Sequence, residues 1–299
     1  MSKLSVIIPS RNERFMPETV NDIFSKSTGD IEVIVVLEGG VPEQLPQKNK
    51  NLSYIVNEPA KGMRAAINAA EAVSRGEYLL KCDAHCMFEV GFDEVLKANM
   101  QDNWIVIPRR HSLDPINWTL DHNGKSGRDY HYLDFPAPDK PHDAGMHGVE
   151  WPQRSRERAN NPKYDIDDTM SFQGSCWFMK KTWFTDFLGG MSEKGYGSFS
   201  QEPQEIGNKT WLGGGEIKVN KLTWYAHLHK GKTYGRMYHQ NNSEIVAGHL
   251  YSSRHWMNNE EPGILYEFKW LINKFSPVPG WPDNWQSIWD EIEKERQGR

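Results

Sequence analysis

Two side chains that could share one metal ion stand at positions 83 and 85, with one residue between them. Asp83 and His85 follow a short apolar run at 78–82. Residues two apart in an extended chain point to the same side, so both side chains can face one ion if the strand geometry continues. A bound divalent cation stabilises charge that develops on a leaving diphosphate. The pair is therefore a candidate metal site, and a purely structural Asp-x-His turn is the alternative on these residues alone.

Glu202 and Glu205 form a second pair of residues that could take part in catalysis. Their spacing of three residues places them on one side of a helical turn. A carboxylate there can act as a general base toward a hydroxyl group. It can equally stabilise the N-terminus of a helix. Both interpretations stay open on the residues alone.

Alternating strands and helices must position these groups. Apolar, β-branched runs predict strands at 4–9, 31–37, 51–56 and 78–82, and helical spacing predicts helices at 17–25 and 63–74. This alternation predicts an α/β fold with a mostly parallel sheet covered on both faces.

Polar residues follow each predicted strand. In sheets of this kind, ligands bind at the carboxyl ends of the strands. We therefore expect one rim of the sheet to collect the polar residues at 10–13, 38–40, 58–62 and 83–85.

The second half of the chain is less regular. Residues 112–168 show no sustained period and are rich in Pro, Gly, Asp, Asn and His with interspersed aromatics, which predicts a long functional excursion. An apolar segment at 170–178, a helical segment at 206–211, a strand at 217–227 and a charged helix at 285–296 follow. We expect a main domain at 1–247, with halves at 1–111 and 112–247, and a helical extension at 248–299. That extension could pack on the main domain or on a second subunit.

Charge and cysteine usage exclude some classes of protein. The net charge of -5 and the pI near 6.1 give no overall attraction to nucleic acid or to an anionic membrane. The apolar stretch at 6–8 is too short for a signal sequence, and nothing else is long enough to cross a bilayer. We therefore expect a cytoplasmic protein in which Cys82, Cys86 and Cys176 are free thiols. The alternative for Cys82 and Cys86 is half of a zinc site.

Several motifs resemble those of known glycosyltransferases. The opening Leu-Ser-Val-Ile-Ile-Pro-Ser-Arg-Asn-Glu at 4–13 resembles the large family-two-like glycosyltransferases. Asp83-Ala-His85-Cys86 resembles the metal motif of polypeptide N-acetylgalactosaminyltransferases, and the segments at 173–178 and 202–215 are similar to later motifs of that family. The resemblance spans roughly residues 4–234 with gaps. It implies a GT-A-type fold and metal-dependent transfer from a nucleotide-sugar donor.

The resemblance implies a set of metal ligands. Asp83 and His85 correspond to the first two ligands, and His227, about a dozen residues after the glycines at 213–215, corresponds to the third. His229 is the rival third ligand. One carboxylate and two imidazoles suit Mn²⁺ (or Mg²⁺ as the alternative) better than Ca²⁺.

The resemblance also implies donor-binding residues. Pro9, Ser10, Arg11, Glu13 and Glu38 correspond to positions that hold the nucleoside. Leu37-Glu38 departs from the usual Asp-Asp pair, but Glu38 can accept hydrogen bonds from a uracil or ribose, so UDP is the expected nucleotide.

Basic and hydroxyl groups near the same rim are candidates for holding the diphosphate. Those we expect to do so, together with Asp83, are Lys61, Arg64, Lys230 and Tyr234, and the further candidates Lys232 and Arg236 could equally lie in a solvated loop.

The acceptor and the stereochemistry stay open. Family-two-like enzymes invert and the galactosaminyltransferases retain, so Glu202 and Glu205 are only candidate catalytic residues. The acceptor could be a glycan, a protein or a modified base in DNA, and a series of basic residues could track a phosphate backbone. That series is Arg109, Arg110, His111, Lys125, Arg128, Arg154, Arg156 and Arg158.

Two other classes compete with a glycosyltransferase. A nucleotidyltransferase would need a glycine-rich phosphate loop directly after the first strand, and residues 9–14 contain no glycine. A non-catalytic nucleotide- or glycan-binding module would keep the fold without turnover.

Overall fold

A central strand, β1 (Leu4–Ser10), organises the sheet because its apolar side chains are buried on both faces. The computed structural model describes residues 3–121, 127–136, 145–235, 238 and 241–297. β1 pairs in parallel with β2 (Ile31–Glu38) on one side and with β4 (Tyr78–Cys82) on the other. β3 (Leu52–Asn57) pairs in parallel with β2. The chain thus leaves β1 in one direction and later returns to its other side, which creates a crevice at the carboxyl ends of β1 and β4.

The remaining strands make the sheet mixed. They are β5 (Cys86–Phe88), β6 (Trp104–Asp114), β7 (Thr119–Leu120), β8 (His131–Leu133), β9 (Gly148–Glu150), β10 (Ile166–Asp168), β11 (Cys176–Lys180) and β12 (Glu216–His227). The sheet order is β10-β12-β6-β11-β4-β1-β2-β3. β11 is antiparallel to both β4 and β6, and β12 runs parallel to β6. β8 and β9 form a separate antiparallel pair.

Helices cover both faces of the sheet. They are α1 (Met16–Lys26), α2 (Met63–Val73), α3 (Phe92–Ala98), α4 (Pro152–Arg158), α5 (Glu202–Leu212), α6 (Gly231–Tyr234), α7 (Asn242–Met257), α8 (Phe268–Phe275) and α9 (Trp285–Gln297). Ile7 of β1 packs with Ala66 and Ile67 of α2, whereas Val6 and Ile8 pack with α1 and α3 on the opposite face. Alternate side chains of one strand therefore enter two different cores.

The predicted elements of the first half are confirmed, with ends that shift by a residue or two. The predicted excursion at 112–168 is not free of regular structure, since it contains short strands and α4. Regular strand structure in the apolar segment at 170–178 begins only at Cys176. A short 3₁₀ turn at Pro162–Tyr164 and a π-helical turn at Trp183–Phe187 lie outside the predicted elements.

The C-terminal helices pack against earlier parts of the chain. The rings of Trp211 in α5 and Phe275 in α8 lie 5.3 Å apart, and Trp281 Nε1 donates to the carbonyl of Leu133 at 2.6 Å. Trp256 of α7 and Phe268 of α8 belong to the same core as the sheet. Within the residues that the structure describes, no helix is both long and apolar enough to cross a membrane.

Candidate metal and nucleotide site

A cavity of about 700 Å³ opens at the carboxyl ends of β1 and β4. Its wall comes from the segments that follow β1, β2 and β4, from the start of α5 and from the end of β12. The lining residues that we also predicted from the sequence are Pro9, Ser10, Arg11, Glu13, Glu38, Asp83, His85, Glu202, His227, His229 and Lys230. The ends of β1, β2 and β4 therefore converge on this cavity as predicted, whereas the predicted segment at 58–62 does not line it.

Asp83, His85 and His227 bring three potential ligand atoms together in this cavity. The Nε2 atoms of the two histidines lie 3.1 Å apart. Asp83 Oδ2 lies 3.3 Å from His227 Nε2 and 3.8 Å from His85 Nε2. Both histidines are buried, while the Asp83 side chain is 31% exposed toward the cavity. The open side of the cluster therefore faces the space that a ligand would fill.

Backbone pairing holds these three residues in place. β5 pairs antiparallel with β12 so that Cys86 lies opposite His227, and Leu228 N donates to the His85 carbonyl at 3.1 Å. Asp83 N donates to the Ser175 carbonyl at 2.9 Å. These main-chain contacts therefore hold the backbone of all three residues.

The separations suit a divalent cation. Ligand atoms about 2.1 Å from one ion lie about 3.0 Å apart in an octahedron and about 3.4 Å apart in a tetrahedron. The two shorter observed distances, 3.1 and 3.3 Å, match these values. The third distance, 3.8 Å, would reach the tetrahedral or the octahedral value after a movement of about 0.4 or about 0.8 Å by the part-exposed Asp83.

The protonation states of the cluster also suit a cation. Burial lowers the pKa of His227 to about 4, even though Asp83 opposes this effect. Burial would raise the pKa of Asp83, but Lys81, His227 and His85 hold it well below its usual range. At neutral pH the site therefore presents a carboxylate and a neutral imidazole, the forms that bind metal.

Glu13 connects His85 to Lys230. Glu13 Oε2 lies 3.3 Å from His85 Nδ1, and Lys230 donates to the other carboxylate oxygen. Burial opposes ionisation of Glu13, but His85 and Lys230 leave its pKa below the usual value. A carboxylate beside the second nitrogen of a metal-binding histidine fixes the orientation of the ring.

Lys81 is a cavity residue that sequence reasoning missed. Its Nζ lies 3.0 Å from Asp83 Oδ1 and 3.1 Å from Glu202 Oε2, and it also donates to the Gly174 carbonyl. Burial would lower the pKa of Lys81, but the two carboxylates hold it well above its usual range. The signal was a lysine within the apolar run at 78–82, two residues before Asp83 and therefore on the same side of the strand.

Glu202 lines the cavity while its carboxylate is held by other side chains. Trp177 Nε1 donates to Glu202 Oε1 at 2.7 Å, and Lys81 occupies Oε2. Burial raises the pKa of Glu202, although Lys81 and Trp177 act against that rise. Glu202, the predicted candidate for acid/base catalysis, is thus connected to Asp83 through Lys81.

Glu38 shapes the loop that precedes α2. Its Oε2 accepts hydrogen bonds from the backbone N–H groups of Lys61 and Gly62, at 2.6 and 2.7 Å, and Oε1 accepts from Asn57. Gly62 has a φ of 101°, and a Cβ there would lie 2.6 Å from Ser198. Glu38 therefore faces the cavity and also fixes the cavity wall.

Arg11 adds a further positive charge to the cavity wall. Its guanidinium lies 5.1 Å from the centroid of the Tyr238 ring, and both residues line the cavity. The pair places a positive charge and an aromatic face on the same wall.

Four predicted residues are not part of this cavity wall. Arg64 and Glu205 are fully buried and form an ion pair with each other, which joins α2 to α5. Lys61 is exposed and contributes its backbone N–H rather than its side chain. Tyr234 packs against Phe15 with ring centroids 5.6 Å apart and lines a neighbouring cavity.

The two candidates for the third ligand have different surroundings. His227 belongs to the cluster with Asp83 and His85. His229 Nε2 instead accepts a hydrogen bond from Arg128 Nη1 at 2.7 Å. The geometry favours His227.

The predicted basic series does not form a free surface. Arg109 pairs with Asp129 at 2.7 Å, Arg158 pairs with Asp167, and Arg128 pairs with Glu150 at 3.2 Å. Arg154 lies over the Tyr130 and Trp151 rings. Lys125 and Arg236, as well as the side chain of Lys232, lie outside the described residues. This arrangement does not support the tracking of a DNA backbone.

The three cysteines are buried with free thiols. Burial raises the pKa of each thiol well above its usual value. Within the described part of the chain, the group of side chains arranged to hold a metal contains no cysteine. The alternative of a zinc half-site is therefore not supported.

The mixed sheet, its crevice and the cluster of one aspartate and two histidines define an α/β fold of the GT-A type. The chain belongs to glycosyl transferase family 2, whose family model matches residues 5–188. Both the predicted fold class and the predicted family are confirmed.

Relatives in sequence agree with this membership. Polypeptide N-acetylgalactosaminyltransferase 3 from Mus musculus is 24% identical over 242 residues, which cover 77% of this chain and 37% of that protein. The Homo sapiens protein of the same name gives the same identity and coverage. The chain thus spans little more than a third of the length of these curated relatives.

Solved structures share the fold. GalNAc-T7, solved with UDP, GalNAc and Mn²⁺, has a TM-score of 0.67 and 16% identity, covering 99% of this chain and 55% of that one. Residues 1–349 of TarS from S. aureus, solved with UDP-GlcNAc, give a TM-score of 0.53 and 16% identity, covering 93% and 75% of the two chains.

Proposed function

We propose that this protein transfers a sugar from a UDP-sugar donor to a hydroxyl acceptor, with a divalent cation held by Asp83, His85 and His227. The observation that carries the proposal is that these three ligand atoms converge in the cavity at the carboxyl ends of β1 and β4. The presence of UDP in the GalNAc-T7 structure and of UDP-GlcNAc in the TarS structure supports the choice of nucleotide. Mn²⁺ is the proposed ion because the donor set mixes oxygen and nitrogen.

The cation would neutralise negative charge on the leaving diphosphate. Around it, Glu13 keeps the His85 ring in its binding orientation, and Lys81 holds Asp83 as a charged carboxylate. Lys230 and Arg11 supply positive charge on the same wall for the phosphate oxygens. Glu38 and the loop that it holds form the nucleoside side, next to Pro9 and Ser10.

Glu202 is the residue that we assign to proton transfer. It lines the cavity, and its raised pKa brings a carboxylate closer to the range in which it can accept a proton from a hydroxyl group. Glu205 cannot share this role, because it is fully buried against Arg64. We assign Arg64 and Glu205 to holding the cavity wall together. The acceptor would be a glycan or a protein hydroxyl.

Calorimetric titration with UDP, GDP, CDP and TDP, each with and without Mn²⁺, tests the donor and the metal together. The informative variant is Asp83→Ala. The matched control is Asp102→Ala, because Asp102 pairs with Lys180 on the surface and its side chain is 86% exposed.

UDP binding that requires Mn²⁺ and that Asp83→Ala, but not Asp102→Ala, removes is the expected result. Metal-independent binding, or binding of none of the four nucleotides, would contradict the proposal. Transfer assays with UDP-sugars and with glycan and peptide acceptors then identify the sugar and the acceptor.

A further inference from the structure

A second cavity, of about 640 Å³, lies beside the proposed metal site. The two cavities share Gln173, Leu228 and His229 in their walls. The His229 ring lies 5.1 Å from the His227 ring, and His229 Nε2 accepts from Arg128 at 2.7 Å. A molecule in the second cavity would therefore lie directly next to the donor.

Arg110 supplies this second cavity with a buried positive charge. Arg110 is 5% exposed, and its Nε has no hydrogen-bond partner among the described residues. The polar contact of its guanidinium is with His131, whose Nε2 lies 3.4 Å from Nη2. Burial, together with Arg110 and Arg128, lowers the pKa of His131 to about 3, so this partner is neutral.

Of the three carboxylates that line this cavity, Glu150 and Asp114 have partners other than Arg110. Glu150 pairs with Arg128 at 3.2 Å. Asp114 accepts from the backbone of Ile116 and from the side chain of Asn117, and Asp121 also lines the cavity. Within the described part of the chain, no carboxylate oxygen lies within 4 Å of the Arg110 guanidinium. The neighbouring Arg109, in contrast, donates to both carboxylate oxygens of Asp129.

Arg110 is a buried guanidinium without a carboxylate partner among the described residues, and such a group favours an anion nearby because an unpaired buried charge is costly. The planar fork of arginine matches the oxygens of a phosphate or a carboxylate. We propose that the second cavity binds the acceptor and that Arg110 holds an anionic group of it, a phosphate or a carboxylate. The assignment to the acceptor rests on the proposed glycosyltransferase function, whereas the anion site does not.

Calorimetric titration of the full chain with inorganic phosphate, and separately with acetate, tests the anion site. No metal is added, so that phosphate cannot bind through a cation. Arg110→Met keeps an unbranched apolar stem and removes the guanidinium, and Arg109→Met is the matched control on the neighbouring position. Circular dichroism checks folding, and Arg110→Lys supplies a second variant that keeps the charge.

The expected result is that Arg110→Met weakens binding of the preferred anion about tenfold or more, while Arg109→Met leaves it unchanged and Arg110→Lys gives an intermediate loss. Tighter binding of phosphate or of acetate shows whether the anionic group of the ligand is a phosphate or a carboxylate. No binding of either anion to the unaltered protein, or equal binding by Arg110→Met, would overturn the proposal.

A transfer assay with matched acceptors tests the second part. A neutral hexose, its 6-phosphate and the corresponding hexuronic acid are compared with the same UDP-sugar. We expect a charged acceptor to be preferred and Arg110→Met to remove that preference without changing Mn²⁺-dependent UDP binding. Equal use of all three acceptors would contradict the acceptor assignment. If the unaltered protein does not bind UDP, the proposed function is contradicted. The anion site is then judged by the phosphate and acetate titrations alone.

Discussion

His85 Nε2 and His227 Nε2 lie 3.1 Å apart although 142 residues separate them in the chain. Because Nε2 of one ring faces Nε2 of the other, the two histidines can hydrogen-bond to each other only if one of these two nitrogens carries a proton. With Asp83 Oδ2 3.3 Å from His227, the three atoms surround one point. This relationship is the basis of the predictions below.

Removing the imidazole of His227 should weaken Mn²⁺ binding strongly, while removing that of His229 should not. We expect His227→Ala to lower metal affinity by about 10- to 100-fold or more, because metal–ligand and supporting contacts are worth at least that much. Titration of Mn²⁺ followed by electron paramagnetic resonance measures both variants. Equal losses in His227→Ala and His229→Ala would show that His229 also binds the ion.

Glu13→Gln should reduce metal affinity without removing a ligand. The amide cannot match the charge that Glu13 places 3.3 Å from His85 Nδ1, so the ring loses its fixed orientation. We expect a loss of about 10-fold, which the same resonance titration measures. Glu18→Gln, on the surface of α1, serves as the control, and a Glu13→Gln affinity equal to that of this control would refute the role.

Glu202→Gln should slow transfer while leaving UDP binding intact. Loss of a positioned proton acceptor lowers kcat by about 10²- to 10⁴-fold, whereas the nucleotide does not depend on this carboxylate. Steady-state kinetics combined with calorimetry separates the two effects. An unchanged kcat would mean that Glu202 only positions Lys81.

The buried pair of Arg64 and Glu205 should matter for stability rather than for the donor. Glu205→Leu leaves the Arg64 charge unpaired in the interior, which costs about 3–5 kcal/mol. The double variant with Arg64→Met should recover part of that loss. Urea unfolding measures the free energies. A double variant less stable than Glu205→Leu alone would contradict this account.

His131 should make the fold sensitive to acid. Its pKa is about 3 in the folded protein because of burial, against about 6.5 in an unfolded chain. Between these values the unfolded chain binds a proton that the folded chain does not. The free energy of unfolding therefore falls as the pH falls through this window, by up to about 1.4 kcal/mol per pH unit from this residue. His131→Gln should flatten the dependence in urea unfolding measured from pH 7 to pH 4, and an unchanged slope would contradict the assignment.

How much of the site the sequence predicts depends on how far apart in the chain the contacting residues are. Strand alternation places Asp83 and His85 on one side, and that is a local property. The approach of His227 depends on the pairing of β5 with β12, which no local pattern reveals, so the prediction came from family resemblance. Lys81 could have been found locally, as a charged residue in a buried strand.

The misplaced donor residues have a different cause. Arg64 and Lys61 both stand at the start of α2, and sequence alone does not tell which side chain turns inward. Burial against Glu205 decides this for Arg64. The sequence did not predict the second cavity either, because its charge depends on which arginines pair with carboxylates in the folded chain.

The central claim is that one divalent cation sits among Asp83, His85 and His227 and carries the diphosphate. An anomalous difference map from crystals grown with UDP and Mn²⁺ tests it most directly. We predict a single strong peak within about 2.2 Å of Asp83 Oδ2, His85 Nε2 and His227 Nε2, in contact with a phosphate oxygen of UDP. UDP bound in the cavity without a peak at these atoms, or a peak at another site, would contradict the account.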